Sequence, residues 1–414
     1  MTQTTPMRPT LDALQALDAL QALDARDPLA HKRAEFLLPQ GVIYLDGNSL
    51  GALPARVPAR LECVAREEWG DALIRSWTAN NEGGRDWMAL PDRVAAKVAR
   101  LIGARPHEVA VGDSTSVNLF KALSAALAAA APTRRVILTD ADNFPTDLYV
   151  AQGLNALMGG RYDLKPVPVA DLATHLGPDV AVVMLTQVDY RTGERLDLAA
   201  VTRQAHAAGA VTLWDLAHSA GAFEVDLNGA GADFAVGCGY KYLNGGPGAP
   251  AFLFVAERHH AVPVALSGWM GHADPFEMAR EYAPAAGARR FVVGTPMVLS
   301  LSALDSALDV FGDVDLAALR AKSLALTDAF MALLEGVPEL TLVTPADHAR
   351  RGSQVSYRHP QAREAMRRLV ERGVIGDFRT PDILRFGFTP LYVSYADVYH
   401  AAQAVQDVVR ELRG

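Results

Sequence analysis

The sequence predicts an α/β protein, a mainly parallel sheet flanked by helices and followed by a smaller α+β C-terminal part. Three observations carry this. From residue 135 onward short apolar runs alternate with amphipathic stretches: Arg135–Thr139, Val180–Leu185, Val211–Trp214 and Phe234–Val236 read as strands, and Leu198–Ala208 as a helix. After residue 305 the pattern changes to long amphipathic helices with few short strands. A length of 414 residues exceeds one small core and suits two domains. The expected division is an N-terminal segment over 1–70 (a surface helix, then an arm packing on the small domain), a large ligand-binding domain over 71–305, and a small C-terminal domain over 306–414.

Taken in order, residues 11–25 repeat Leu-Asp-Ala-Leu-Gln-Ala, with Thr10 as N-cap and Asp27-Pro28 as stop. Leucine at every third position drifts around a 3.6-residue helix, so a surface helix beyond the core is expected, not a coiled coil. An apolar run, Val42–Leu45, turns through Asp46-Gly-Asn48-Ser49 into a helix over 55–70. Residues 71–90 hold Trp77 and Trp87 among glycines and asparagines and read as an ordered loop, with a helix over 91–103 after it. Ser114-Thr115-Ser116 then opens the next helix. Its free N–H groups make an anion site, although plain N-capping accounts for such hydroxyls equally well. Beyond 305 we expect a helix over 306–335, a strand over Arg350–Tyr357, a helix over 361–372, a strand at Ile383 and a last helix over 395–413.

Composition narrows the function. Hydrophobic residues make up 50% and charged residues 21%, as in ordinary globular proteins. The net charge of −8 offers no basic excess to replace counterions, so no nucleic-acid partner is expected. Two cysteines, Cys63 and Cys238, make neither a disulfide framework nor a cysteine zinc site, and His259-His260 is too bare for a metal. The N-terminus lacks signal-peptide blocks, and no apolar run approaches the roughly 20 residues that span a bilayer. The expectation is a soluble, cytoplasmic protein without a bound metal.

The chemistry centres on Phe234-Ala-Val-Gly-Cys-Gly-Tyr240-Lys241-Tyr-Leu-Asn-Gly-Gly-Pro-Gly. A lysine straight after a buried strand and fenced by glycines is partly desolvated, which lowers an amine's pKa and makes it nucleophilic. Asp215 ends another apolar run, followed by His218. A buried lysine that holds an aldehyde, with a buried acid that keeps a ring nitrogen protonated, is what pyridoxal phosphate (PLP) requires. A purely structural Lys–Asp pair would leave the same trace in the sequence. Sites in parallel sheets lie beyond the carboxyl ends of the strands. Asp140 to Asp147, Thr186, Asp215, His218 and Lys241 all fall there. Gly246–Ala251 mimics a dinucleotide glycine pattern but precedes a strand, and Ser219 sits in a degenerate nucleophile elbow; neither has its mechanism.

The ordered set Leu45-Asp-Gly-Asn-Ser-Leu-Gly51, Ser114-Thr-Ser-Val-Asn-Leu, Phe144-Pro-Thr-Asp147, Trp214-Asp-Leu-Ala-His-Ser-Ala-Gly221, Gly239–Gly248, Ser267-Gly-Trp-Met-Gly-His272 and Arg385-Phe-Gly-Phe-Thr-Pro-Leu-Tyr resembles kynureninases. These are fold-type-I PLP enzymes of the aspartate-aminotransferase superfamily, and the match runs from about residue 40 to the C-terminus. The resemblance implies hydrolytic Cβ–Cγ cleavage of L-kynurenine, and less well of 3-hydroxykynurenine, to anthranilate and L-alanine in tryptophan catabolism. It implies a homodimer with a shared active site. It assigns Lys241 to the cofactor aldehyde and the Cα proton, Asp215 to the pyridinium nitrogen, and Phe144 to ring stacking. Thr115, Ser116, His218 and Tyr240 fall to the phosphate and its surroundings, joined across the interface by Trp269 and Thr295. Pro145, Thr146, Asp147 and Thr186 line the cofactor, and Tyr240 is also an acid/base candidate. Arg385 would grip the substrate carboxylate, with Asn48 bordering it and Trp77 and Gly294 walling the substrate ring. Animal members, which favour the 3-hydroxy substrate, carry a histidine and a Ser-Asn pair at that wall. Within the superfamily a cysteine desulfurase or selenocysteine lyase needs a mobile cysteine after the lysine, and none follows Lys241. An aminotransferase, or a non-catalytic regulator that binds PLP, is also compatible with the lysine and aspartate motifs.

Overall fold

The computed structural model describes residues 11–78 and 86–413. Seven strands lie side by side in the order Val109–Val111, Phe252–Val255, Phe234–Gly237, Val211–Asp215, Val180–Thr186, Val136–Asp140 and Asp163–Val167. Neighbours pair in parallel except at Phe252–Val255, which runs against both of its neighbours. The central strands are buried on both faces, which is why they read as unbroken apolar runs instead of alternating ones. The edge strand Asp163–Val167 escaped sequence reading. It is half exposed and carries Lys165 and Pro166, residues suited to an edge but not to an apolar pattern.

A second, antiparallel sheet orders Asp377–Arg379, Ile383–Gly387, Gln354–Arg358 and Thr341–Leu342. The N-terminal arm is stitched to this region: Ile43–Tyr44 pairs in parallel with Val374–Ile375, and Asp46 bridges Gly387.

Two expectations need correction. The helix expected over 306–335 is two helices, Val298–Leu308 and Leu316–Leu333, separated by the turn Asp309–Phe311 and Gly312. Asp315 starts the second helix by accepting the N–H of Ala317 at 3.0 Å, a capping signal that outweighs the continuous apolar pattern. The leucine-repeat helix, Leu11–Asp24, is not an extension beyond the core. Leu20 is buried, and the Asp24 carboxylate accepts the N–H groups of Tyr395 and Ala396 at 2.8 and 2.9 Å, capping the last helix, Tyr395–Glu411. Asp27 pairs with buried Lys322 at 2.6 Å. The Thr10 cap and residues 79–85 lie outside the described residues. The helix expected over 55–70 runs as Val57–Cys63 and widens into a π-helix over Val64–Asp71. Among the described residues no helix is long and apolar enough to cross a membrane.

Candidate active site

Parallel pairing aligns strand ends, and here it aligns polar residues. Thr186 is the register partner of Asp215, and Asp215 of Val236, so three neighbouring strands bring their carboxyl ends to one rim. The strand Phe234–Gly237 runs on through Cys238 and Gly239 to Lys241. Glycine is required there: a Cβ on Gly237 would stand 2.3 Å from the Phe252 ring, and one on Gly239 2.3 Å from the Pro250 carbonyl. Lys241 thereby emerges into a cavity of about 100 Å³ that it lines with Thr115, Ser116, Phe144, Thr146, Asp147, Thr186, Tyr190, Asp215, Ala217, His218 and Tyr240.

The electrostatics of this cavity are unbalanced. Lys241 Nζ lies 3.0 Å from Nε2 of buried His218, whose pKa is pushed well below the usual histidine value by burial and by the lysine's charge. His218 is therefore neutral, and its buried Nδ1 has no partner among the described residues. Asp215 accepts the Ala217 N–H at 2.6 Å, and burial raises its pKa while Lys241 opposes the rise. Asp147, in the first turn of the helix Pro145–Leu157, is raised well above the carboxylate range by burial and then by the charge of Asp215. Two buried acids thus share one ammonium. Tyr240 is raised to about 12, chiefly by burial, and stays a neutral phenol. At the anion end Ser114 caps the helix Thr115–Ala129 through the Val117 N–H at 3.3 Å, leaving Thr115 and Ser116 at its N-terminus. Phe144 stands at the mouth, edge-on to Tyr190 at 5.2 Å.

Most sequence-predicted residues therefore meet in one place. Pro145 begins its helix beside the cavity without lining it. A second group collects elsewhere. Trp77 packs on Trp87 and Trp269 (ring centroids 6.4 and 6.2 Å apart), and Gly268 is so close to Val293 that a Cβ would stand 2.0 Å from its carbonyl. That contact brings the exposed Gly294 and Thr295 beside the tryptophans, outside the Lys241 cavity of the same chain. Asn48 is buried and spans to Gln354 (Nδ2 to Oε1, 3.4 Å), also outside the cavity lining.

Arg385 is fully buried and already engaged. Its Nε donates to Asp377 Oδ1 at 2.7 Å and its Nη2 to Asp377 Oδ2; Nη2 also reaches Ser49 Oγ at 2.6 Å, and Nη1 the Tyr190 carbonyl at 2.6 Å. Arg379 shares Asp377 Oδ2 at 2.6 Å. Tyr190 joins this cluster to the lysine cavity, since it lines the one and its carbonyl binds the other. Sequence reasoning gave no role to Tyr190, Asp377 and Arg379, nor to Asp46 and Ser49 beyond their place in the turn after Val42–Leu45. The one local signal of Asp377 and Arg379 is the charge-rich strand Asp377-Phe-Arg379, which looks like any solvated hairpin.

Residues 319–405 match the family model described as the kynureninase C-terminal domain. A kynureninase of Deinococcus radiodurans is 69% identical over 408 residues, 98% of this chain and 97% of that one. The chain belongs to the kynureninase family. A kynureninase of Burkholderia mallei is 54% identical, covering 92% of this chain and 93% of its own. Among solved structures, a cysteine desulfurase of Thermococcus onnurineus superposes with a TM-score of 0.77 at 19% identity, over 92% of this chain and 98% of that one. One from Escherichia coli gives 0.74 at 22%, over 93% and 98%. These likenesses show the fold, that of PLP-dependent fold-type-I enzymes. They do not carry the desulfurase chemistry, because Cys238 is buried at a strand end and no cysteine follows Lys241.

Proposed function

We propose that the protein hydrolyses L-kynurenine between Cβ and Cγ, releasing anthranilate and L-alanine, with pyridoxal phosphate as cofactor. The observation that carries this is the cavity in which Lys241 meets two buried acids and a helix N-terminus. The residues fit the cofactor. A pair of buried acids beside one ammonium suits a protonated ring nitrogen; the helix N-terminus suits a phosphate, and the His218 Nδ1 proton is free for a ring oxygen or phosphate. When bound, pyridoxal phosphate supplies the electron sink for charge developing on the substrate.

The chain's own residues do the rest. Lys241 would hold the cofactor aldehyde, and its amine is placed to move the proton at the substrate Cα. Asp215 would keep the ring nitrogen charged, Asp147 would line the cofactor, and Phe144 would cover the ring. Arg385 binds the substrate carboxylate. Tyr240, neutral at pH 7, is suited to deliver a proton where the carbon chain breaks. Trp269 and Thr295, outside their own Lys241 cavity and partly exposed, serve the cofactor of a second copy, so the working form is a homodimer. Trp77 and Gly294 travel with them and wall the substrate ring, Asn48 borders the carboxylate end, and the apolar wall favours L-kynurenine over its 3-hydroxy analogue. The division into 1–70, 71–305 and 306–414 belongs to this reading, supported by the packing of Val298–Leu308 on Leu90–Leu101 and by the arm's pairing with Val374–Ile375. We also assign the protein to the cytoplasm and to tryptophan degradation.

Anthranilate fluorescence after adding L-kynurenine to the PLP-loaded protein tests the proposal. The parent is expected to give signal and Lys241→Ala to lose about 10³-fold or more. A bound cofactor without anthranilate from the parent would refute it.

A further inference from the structure

The cluster around Arg385 holds more acid than its recognition task needs. Asp46 bridges Gly387 on the strand of Arg385, and its Oδ1 is buried without a hydrogen-bond partner among the described residues. The second acid, Asp377, is saturated: Arg385 holds both of its oxygens, Arg379 holds Oδ2 at 2.6 Å, and the Ser49 hydroxyl donates to Oδ2 at 2.8 Å. With both acids ionised, two guanidiniums face two carboxylates. A substrate carboxylate docking on Arg385 would make three against two in a buried site, where unbalanced charge is strongly disfavoured.

We propose that Asp46 is the proton-carrying residue of this cluster: it takes up a proton from solvent as the substrate carboxylate docks, so that two guanidiniums face two charged carboxylates before and after binding. The proposal rests on the reading that Arg385 binds that carboxylate. The proton goes to Asp46 because its orphaned oxygen has no donor to lose, whereas protonating Asp377 would break bonds to two arginines. Burial and then the charge of Asp377 push the Asp46 carboxyl up to about 7, against the opposing pull of Ser49, Arg385 and Arg379. Asp377 is held below its usual value, because its bonds to the arginines more than offset its burial. Tyr44 on the arm and Tyr242 after Lys241 are both raised, chiefly by burial, and remain neutral. Asp46 is thus a positioning residue that acts through Arg385.

The sign follows from linkage: the bound state holds one more proton, so carboxylate affinity falls as pH rises. For the PLP-loaded protein, KM for L-kynurenine is expected to rise by up to about tenfold per pH unit above neutrality, between about pH 7 and 9. Asp46→Asn, a mimic of the protonated acid, loses that slope. Parallel KM profiles for parent and variant would overturn the proposal. Should the variant fail to fold, calorimetry of the parent with benzoylpropionate, which has the carboxylate and ketone but no amine, decides in two buffers of different ionisation heat. Uptake approaching one proton per site supports the proposal, and zero uptake overturns it. Arg385→Lys separates the two readings. An unchanged KM in that variant refutes carboxylate binding itself; a raised KM with parallel Asp46 profiles refutes only the proton.

Discussion

The lysine end and the arginine end of the site are built differently. Lys241, Asp215 and Thr186 come from the ends of three neighbouring strands and Asp147 from the helix after a fourth, Val136–Asp140, so a single sheet sets their positions. Arg385, Asp377, Ser49, Asp46 and the Tyr190 carbonyl come from a hairpin, the N-terminal arm and a loop, joined only by tertiary contacts. In the proposed function the first arrangement shapes charge around the reacting atoms and the second holds a carboxylate in place. Substitutions at the lysine end should therefore fall on kcat and those at the arginine end on KM.

That contrast is open to attack from the largest effect down. Asp215→Asn removes the buried charge for the ring nitrogen, and kcat should fall by about 10²–10³-fold with little change in KM, measured by anthranilate fluorescence. A pure KM effect would break the division. Arg385→Lys keeps the charge but loses the fork, and KM should rise roughly tenfold to a hundredfold with kcat largely kept. The Trp77–Gly294 wall should disfavour a ring hydroxyl left unpaired, a cost of about 1–2 kcal/mol or roughly tenfold in kcat/KM. Equal values for L-kynurenine and 3-hydroxykynurenine would remove that role.

A third charged region sharpens the comparison because it serves only stability. Asp233 accepts from His206, His259, Arg258 and Thr212 at 2.6–2.9 Å, and burial, which alone would raise its pKa, is outweighed so that it lies far below the carboxylate range. A depressed folded-state pKa stabilises above the unfolded value of about 4 and is lost as pH falls below it. Asp233→Asn should lower Tm by a few degrees at pH 7 and progressively less in acid, with kcat and KM unchanged, as read by thermal melts and steady-state kinetics together.

The difference in construction also decides what the sequence discloses. Apolar runs followed by Asp215, Thr186 and Lys241 are local patterns, and the parallel-sheet rule converts them into one site. The break at Gly312–Asp315 was hidden by apolar residues on both sides, and the strand Asp163–Val167 by its own polarity. Asp46 and Asp377 look like turn residues because their burial comes from segments some 330 residues apart in the chain. The role of the leucine repeat depended on Asp24 and Asp27 reaching the helices Tyr395–Glu411 and Leu316–Leu333, a contact with no local signature.

The most direct test of the central claim is the product balance from L-kynurenine and the PLP-loaded protein. Hydrolysis between Cβ and Cγ gives anthranilate and L-alanine in equal amounts, without an amino acceptor. A 2-oxo acid product, or turnover that depends on an added amino acceptor, would make the site a transaminase and contradict the account.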